Sequence, residues 1–183
     1  MKNKILVYIP AILLFWSCTF NYGDTDVSAE NLPDLVMENV EYVRVRAADP
    51  LAKLQAERFE RYDKQNVVKM QNITFEQYGE HGEKINVYGR VGSAEVNIES
   101  GDIFMDKNVS LDVKTEDILI DTYQLEWKDE PRFLSSGENN KVNIYRENGT
   151  RFSGTGLQAN TRLREWEFLG GFNGVYIYDN QKE

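Results

Sequence analysis

The sequence carries one cysteine, Cys18, and one histidine, His81. A lone cysteine excludes an intramolecular disulfide and a cysteine-based metal site, so burial and backbone hydrogen bonds must hold the fold. A lone histidine excludes Ser-His-Asp and Cys-His constellations and histidine-rich metal centres. His81 itself lies between Gly79 and Gly82, in a turn signal where a solvated side chain is the ordinary outcome. Cations are also short, with 21 Lys and Arg against 30 Asp and Glu and a formal charge of -9. That balance argues against nucleic acid or an anionic membrane surface as the main partner, because both need clustered cations. Its common purpose is solubility. Phosphate loops are missing too: Gly154-Thr155-Gly156 and Gly170-Gly171 have no strand–loop–helix setting. Glycines within strands mark bulges, bends or close backbone approach. No catalytic residue, metal ligand or cofactor site is therefore expected. A glycosidase-like carboxylate pair stays open as a minor alternative, because any 30 acids contain pairs.

What is present begins with a targeting segment. Lys2 and Lys4 form a positive start, and Ile5 to Trp16 is an apolar run broken only by Pro10. The run is shorter than the roughly 20 residues of a spanning helix and fits a signal-peptide core. Leu14-Phe15-Trp16-Ser17-Cys18 then resembles a bacterial lipobox, with Phe15 and Trp16 bulkier than usual. Two readings follow for residues 1–18: a cleaved lipoprotein signal with Cys18 lipidated, or an uncleaved signal anchor. Cleavage before Cys18 would take the charge from -9 to -11 by removing Lys2 and Lys4. Residues 19–33, rich in Asn, Gly, Asp, Thr and Ser, read as a flexible tether. Residues 34–180 form the domain.

From Leu35 the pattern turns to period-2 alternation, the signature of half-buried strands. Val109, Leu111 and Val113 point one way and Ser110, Asp112 and Lys114 the other. Ile118 and Ile120, Leu125 and Trp127, Val142 and Ile144, and Val175 and Ile177 repeat the pattern. Turn signals separate the runs, at Gly79 to Gly82, Ser100 to Asp102, Glu138 to Asn140 and Glu147 to Gly149. Asp49-Pro50 resembles a helix start, but the alternation of Leu54 and Ala56 favours a strand. Similar short strands begin at Asn72, Asn108, Lys141 and Gly174, which suggests stacked two-strand units sharing one core. Asn-x-Ser/Thr triplets at Asn72, Asn108 and Asn148 are chance matches behind a bacterial-type leader.

The most specific stretch runs from Asp121 to Tyr178. It contains Thr122-Tyr123-Gln124-Leu125-Glu126-Trp127, Phe133-Leu134-Ser135-Ser136, Val142-Asn143-Ile144-Tyr145, Gly154-Thr155-Gly156-Leu157-Gln158-Ala159-Asn160 and Phe168-Leu169. Leu54 to Arg58 and Phe75 to Gly79 extend the match upstream. In order and spacing this resembles the LptC family of the lipopolysaccharide-export system, over about Leu35 to Tyr178. The short leader departs from that family's usual uncleaved transmembrane anchor.

The resemblance implies an all-β fold: a half-open antiparallel β-roll, also called a β-jellyroll or β-taco, of about 12–16 strands. It implies a non-enzymatic component anchored to the inner membrane on its periplasmic side. Its partners would be lipopolysaccharide or a similar glycolipid, an inner-membrane ABC transporter and a soluble periplasmic β-roll bridge protein. The lipid groove would be lined by Phe75, Val87, Val96, Val109, Leu111, Ile118, Ile120, Leu125, Trp127, Val142, Ile144, Phe152, Leu157 and Trp166. Val175, Tyr176, Ile177 and Tyr178 would form the edge that docks the soluble partner, and Pro33 to Val45 the first strand, facing the transporter. The competing picture is a structural or adhesive surface lipoprotein with a closed, dry β-sandwich.

Overall fold

Strand-forming residues in alternation with polar ones commit most of the chain to extended structure. The computed structural model describes residues 32–178, so the leader, Cys18 and most of the tether lie outside the described residues. The strands are β1 (Leu35–Arg46), β2 (Asp49–Tyr62), β3 (Val67–Tyr78), β4 (Ile85–Asn97) and β5 (Ile103–Val113). They continue as β6 (Ile118–Lys128), β7 (Phe133–Ser135), β8 (Lys141–Arg146), β9 (Arg151–Asn160) and β10 (Glu165–Val175). All pair antiparallel in one ten-stranded sheet that follows chain order. β7 and β8 share a single slot: β7 pairs one end of β6 and of β9, and β8 pairs the other end of both.

Among the described residues the only helical pieces are two single 3-10 turns, at Asp63–Gln65 and Glu80–Gly82. No helix among the described residues therefore covers either face of the sheet. Yet Leu125 and Val142 are wholly buried. The sheet covers its own apolar face by folding in half across every strand.

The fold line can be followed from strand to strand. Asn39, Asn72, Lys107 and Asn108 hold left-handed backbone with φ of 53°, 50°, 64° and 62°. On the far side Gly156 and Gly171 do the same at 67° and 44°. Register breaks fall at the same level, between Arg90 and Ser93, Asp106 and Val109, and Gly170 and Asn173. Such bulges bend a strand and re-aim its side chains. In β4 the break shifts the alternation, whereas in β5 and β10 the inward Met105 and Val109, and Phe168 and Phe172, are four positions apart. Inward residues on either side of the line are Met37 and Val40, Ala56 and Phe59, Met70 and Ile73, Val91 and Ala94, and Gly154 and Leu157, spaced by three positions where an unbroken strand would give two. The chain between β7 and β8 crosses the line as a loop. It is held there by Ser136 N–H to Leu157 O (2.8 Å), Leu157 N–H to Ser136 Oγ (2.8 Å) and Gly156 N–H to Asn140 O (3.3 Å).

Two leaves result. One carries Phe59, Met70, Met105, Leu125, Leu134, Leu157 and Phe168 on its inner face. The other carries Leu54, Ile73, Phe75, Leu111, Ile120, Val142, Ile144 and Phe152. Ring contact across the gap shows that they face each other: Phe152 and Trp166 lie on opposite leaves with centroids 5.6 Å apart. Among the described residues β1 pairs only with β2 and β10 only with β9, so the folded sheet is an open roll with two edges unpaired there.

Two sequence expectations change. Among the described residues the strands number ten and not about 12–16, because the runs on either side of the fold line belong to one long strand. The strand expected across Val175 to Tyr178 stops at Val175, and Ile177 instead bonds the β8–β9 turn through its backbone. Its N–H donates to Thr150 Oγ1 (2.9 Å), and its carbonyl accepts from Asn148 Nδ2 (3.3 Å). The Asp49 helix-start signal gives way to strand β2, led in by a tight turn with Ala47 and Ala48 at φ of 51° and 74°. That backbone suits a two-residue hairpin turn.

If the fold line needs left-handed backbone in β3, Asn72→Gly should keep the stability within about 0.5 kcal/mol and Asn72→Val should lose about 1–2 kcal/mol. Urea unfolding midpoints report both. Equal midpoints would show that the bend does not depend on this residue.

Candidate functional site

The expected groove residues all lie on the inner face of the roll. Their burial depends on distance from the fold line. Val109, Leu125, Val142 and Leu157, nearest the line, are 0–1% exposed. Leu111, Ile120 and Ile144, a step further out, are still buried. Phe75, Val87, Val96, Ile118, Trp127 and Phe152, towards the strand tips, are half-buried, and Trp166 is exposed. The site is thus a wedge in burial: closed core at the fold line and half-covered side chains towards the tips of the two leaves.

Sequence reasoning missed several inner-face residues. Leu54, Phe59, Val68, Ile103 and Phe168 pack against the same core. Phe172 joins the ring cluster at the β10 end, stacked 5.7 Å from Phe152. The signal that could have found Phe59 was the three-residue step after Ala56, where simple alternation would put Phe59 outside. Two glycines make room for rings on this face. A Cβ on Gly89 would lie 2.1 Å from the Phe75 ring, and one on Gly154 would lie 2.5 Å from the Phe168 ring. In each case the ring fills the space a side chain would take, which keeps the inner surface apolar where the backbone is bare.

The tips are fixed by charge-assisted contacts. Lys128 Nζ lies 3.0 Å from Asp102 Oδ2, and the Asp129 N–H donates to Asp102 Oδ1 at 3.1 Å. These tie the β4–β5 turn to the end of β6 beside Trp127, whose Nε1–H donates to Asp129 Oδ1 at 3.3 Å. The Lys128 ammonium, and next the Asp129 N–H, hold the Asp102 carboxyl below its ordinary value. On the outer face, Arg58, followed by the Tyr62 hydroxyl, does the same to Glu60. These groups are solvated or at the rim and support structure. Among the described residues no cluster of His, Cys, Asp and Glu could hold a metal ion. Two hollows lie around Asp121 and Lys141 and around Asp112 and Tyr145, and most of the residues lining them are polar or charged.

Of the expected docking residues, only Val175 lies on the edge strand β10. Tyr176, Ile177 and Tyr178 follow it, folded against the β8–β9 turn. The first strand, expected over Pro33 to Val45, is β1, and its outer edge is unpaired. The Cys18 site lies outside the described residues.

An antiparallel sheet folded over an apolar inner face, with its first and last strands paired on one side only, defines a class: half-open β-rolls. The chain belongs to one family of that class. Residues 5–177 match the model of the LptC family, described as lipopolysaccharide-assembly, LptC-related. No curated protein matches the sequence. The family match assigns the chain a role in lipopolysaccharide transport, with lipopolysaccharide and its transport machinery as general partners, on the periplasmic side of the inner membrane. Among the described residues no helix is long and apolar enough to cross a membrane.

Proposed function

We propose that the chain receives lipopolysaccharide, or a similar glycolipid, from an inner-membrane ABC transporter and passes it to a soluble periplasmic β-roll protein. The acyl chains lie between the leaf tips while the sugars stay in water. The observation that carries this reading is the gradient of burial, from a closed floor at Leu125 and Val142 to half-open walls at Phe75, Ile118 and Trp127. A dry sandwich has no reason to leave its inner rings half-covered on both leaves. The free edges also favour it. An unpaired strand edge is a liability unless a partner completes it, and strand addition completes it with main-chain hydrogen bonds. We place the transporter at β1 and the soluble partner at β10, with the anchor in residues 1–18.

The energetics limit the role to sheltering. Each CH₂ withdrawn from water gains about 0.8 kcal/mol, so a chain of about a dozen carbons gains on the order of 10 kcal/mol. Against a bilayer it gains almost nothing, because lipid is equally apolar. A passive wedge can hold lipid but cannot extract it, so an energised partner must load it.

Three outcomes follow. Photo-crosslinkers at Phe75, Ile118 or Ile120 should capture lipopolysaccharide, at least about tenfold more than one at the outward Asp112, a difference of about 1.4 kcal/mol in occupancy. Equal labelling on both faces would remove the interior path. Val175→Lys should reduce capture of the soluble β-roll partner about tenfold or more in pull-downs without shifting the melting temperature; undiminished capture would move the docking edge elsewhere. Mass spectrometry of the mature protein should find an acylated Cys18 at its N-terminus, and an intact Met1 would establish the signal-anchor alternative.

A further inference from the structure

The two ends of the wedge differ. At the β1 end the inner-face residues Leu35, Met37 and Tyr42 are 43%, 37% and 57% exposed, and no ring contact bridges the leaves there among the described residues. At the β10 end four rings form a closed circuit. Phe152 lies 5.6 Å from Trp166 and 5.7 Å from Phe172, and Phe168 lies 5.7 Å from Trp166 and 5.9 Å from Phe172. Trp166 and Phe168 come from one leaf, Phe152 and Phe172 from the other. The circuit therefore spans the gap at the last strand, where lipid leaving towards β10 would have to pass.

Strand β10 carries three of the four rings and is interrupted between two fixed points, the Gly170 carbonyl, which accepts from Thr155 Oγ1 (3.0 Å), and the Ile177 N–H, which donates to Thr150 Oγ1 (2.9 Å). β10 loses register between Gly170 and Asn173, and Gly171 holds φ of 44° with nothing within 4 Å of where a Cβ would sit. Beyond that break only Asn173, Gly174 and Val175 pair with β9. Phe172 itself is 63% exposed, so its ring is held by aromatic contact and little else. Glycine frees the backbone to turn at that point.

We infer that Phe152, Trp166, Phe168 and Phe172 form an aromatic stopper, which closes the β10 end of the wedge to acyl chains until Phe172 swings aside about Gly170-Gly171. The inference rests on the proposal that lipid occupies the wedge. The stopper keeps a loaded chain from exposure to water when no acceptor continues the roll at β10. Aromatic pairs suit this task, since each adds only about 0.5–1.5 kcal/mol beyond its buried area and can be broken by an incoming partner.

The test uses the full-length protein with its ABC transporter in nanodiscs, loaded from radiolabelled lipopolysaccharide by ATP, with a crosslinker at Ile120 to read occupancy and with no soluble acceptor protein present. Phe172→Ala should load as the wild type does but release lipid to empty acceptor vesicles about tenfold faster, the factor that about 1.4 kcal/mol represents. Trp166→Leu should act in the same direction. Tyr145→Ala, an exposed ring on the outer face, should release at the wild-type rate. Because Phe172 is largely exposed, its truncation leaves the core in place, and an unchanged melting temperature checks this. Loading at Ile120 with unchanged release from Phe172→Ala overturns the stopper and leaves the lipid reading standing. Absence of label at Ile120 in the wild type overturns the lipid reading, and the stopper with it.

Discussion

The structure turns on one constraint: a sheet that is apolar along one face, in a chain segment with no helix to lay over it. Exposed, that face would present Leu125, Val142, Leu157 and their neighbours to water, each at a cost of about 1.5–3 kcal/mol. Folding the sheet onto itself meets the constraint with backbone already in place. It requires every strand to bend at the same level, and every long strand does. Asparagine and glycine supply left-handed residues in β1, β3, β9 and β10, Lys107 and Asn108 do so at the β5 bulge, and β4 breaks register between Arg90 and Ser93 without one. The β6 partner slot is simply interrupted, by the loop between β7 and β8.

A folded sheet and a closed barrel solve the burial problem differently. A barrel ends the sheet by pairing its edges, and its interior is then fixed in width by strand number and tilt. The fold here leaves the outer sides of β1 and β10 unpaired among the described residues, and inner-face exposure rises with distance from the bend. The floor at the bend is packed as any core is, which gives the domain its stability. The tips are only half-covered, which gives it room. Stability and capacity thus sit at opposite ends of the same strands, so a guest between the tips need not disturb Leu125 or Val142. In the proposed role, that separation lets one layer of sheet be both core and container.

Much of this was legible in the residues. The alternating runs around Val109 to Val113, Ile118 to Ile120 and Val142 to Ile144 are strands with the expected faces inward, and Asn148-Gly149 is the expected turn. What misled was the bend. Leu125 and Ile120 both face inward at odd spacing, so alternation read straight through from one puts the other outside. Runs on either side of the slip look like separate strands, and the strand count rises. The left-handed Ala47-Ala48 turn carries no glycine or asparagine to announce it, because the β1–β2 register imposes it. The end of β10 was misread for the opposite reason. Val175 to Tyr178 alternates as a strand should, but the buried Thr150 hydroxyl takes the Ile177 N–H and draws the chain away from the sheet edge.

The asymmetry between the two ends of the roll bears on direction, and its reach is bounded by thermodynamics. A ring cluster across one mouth raises the barrier for a chain leaving by that mouth and equally for one entering by it, so it cannot bias an equilibrium. Direction must come from where energy enters, at the transporter that lifts lipid out of the bilayer. What the rings at β10 can set is residence. A lipid held between the tips gives back on the order of 10 kcal/mol per acyl chain if it falls into water, so spontaneous escape to solvent is already slow. The faster loss is sideways, into any apolar surface that touches an open end. A mouth that opens only when a strand is added at β10 confines that loss to the one surface presenting such a strand. The same unpaired edge that would otherwise invite aggregation then selects the acceptor.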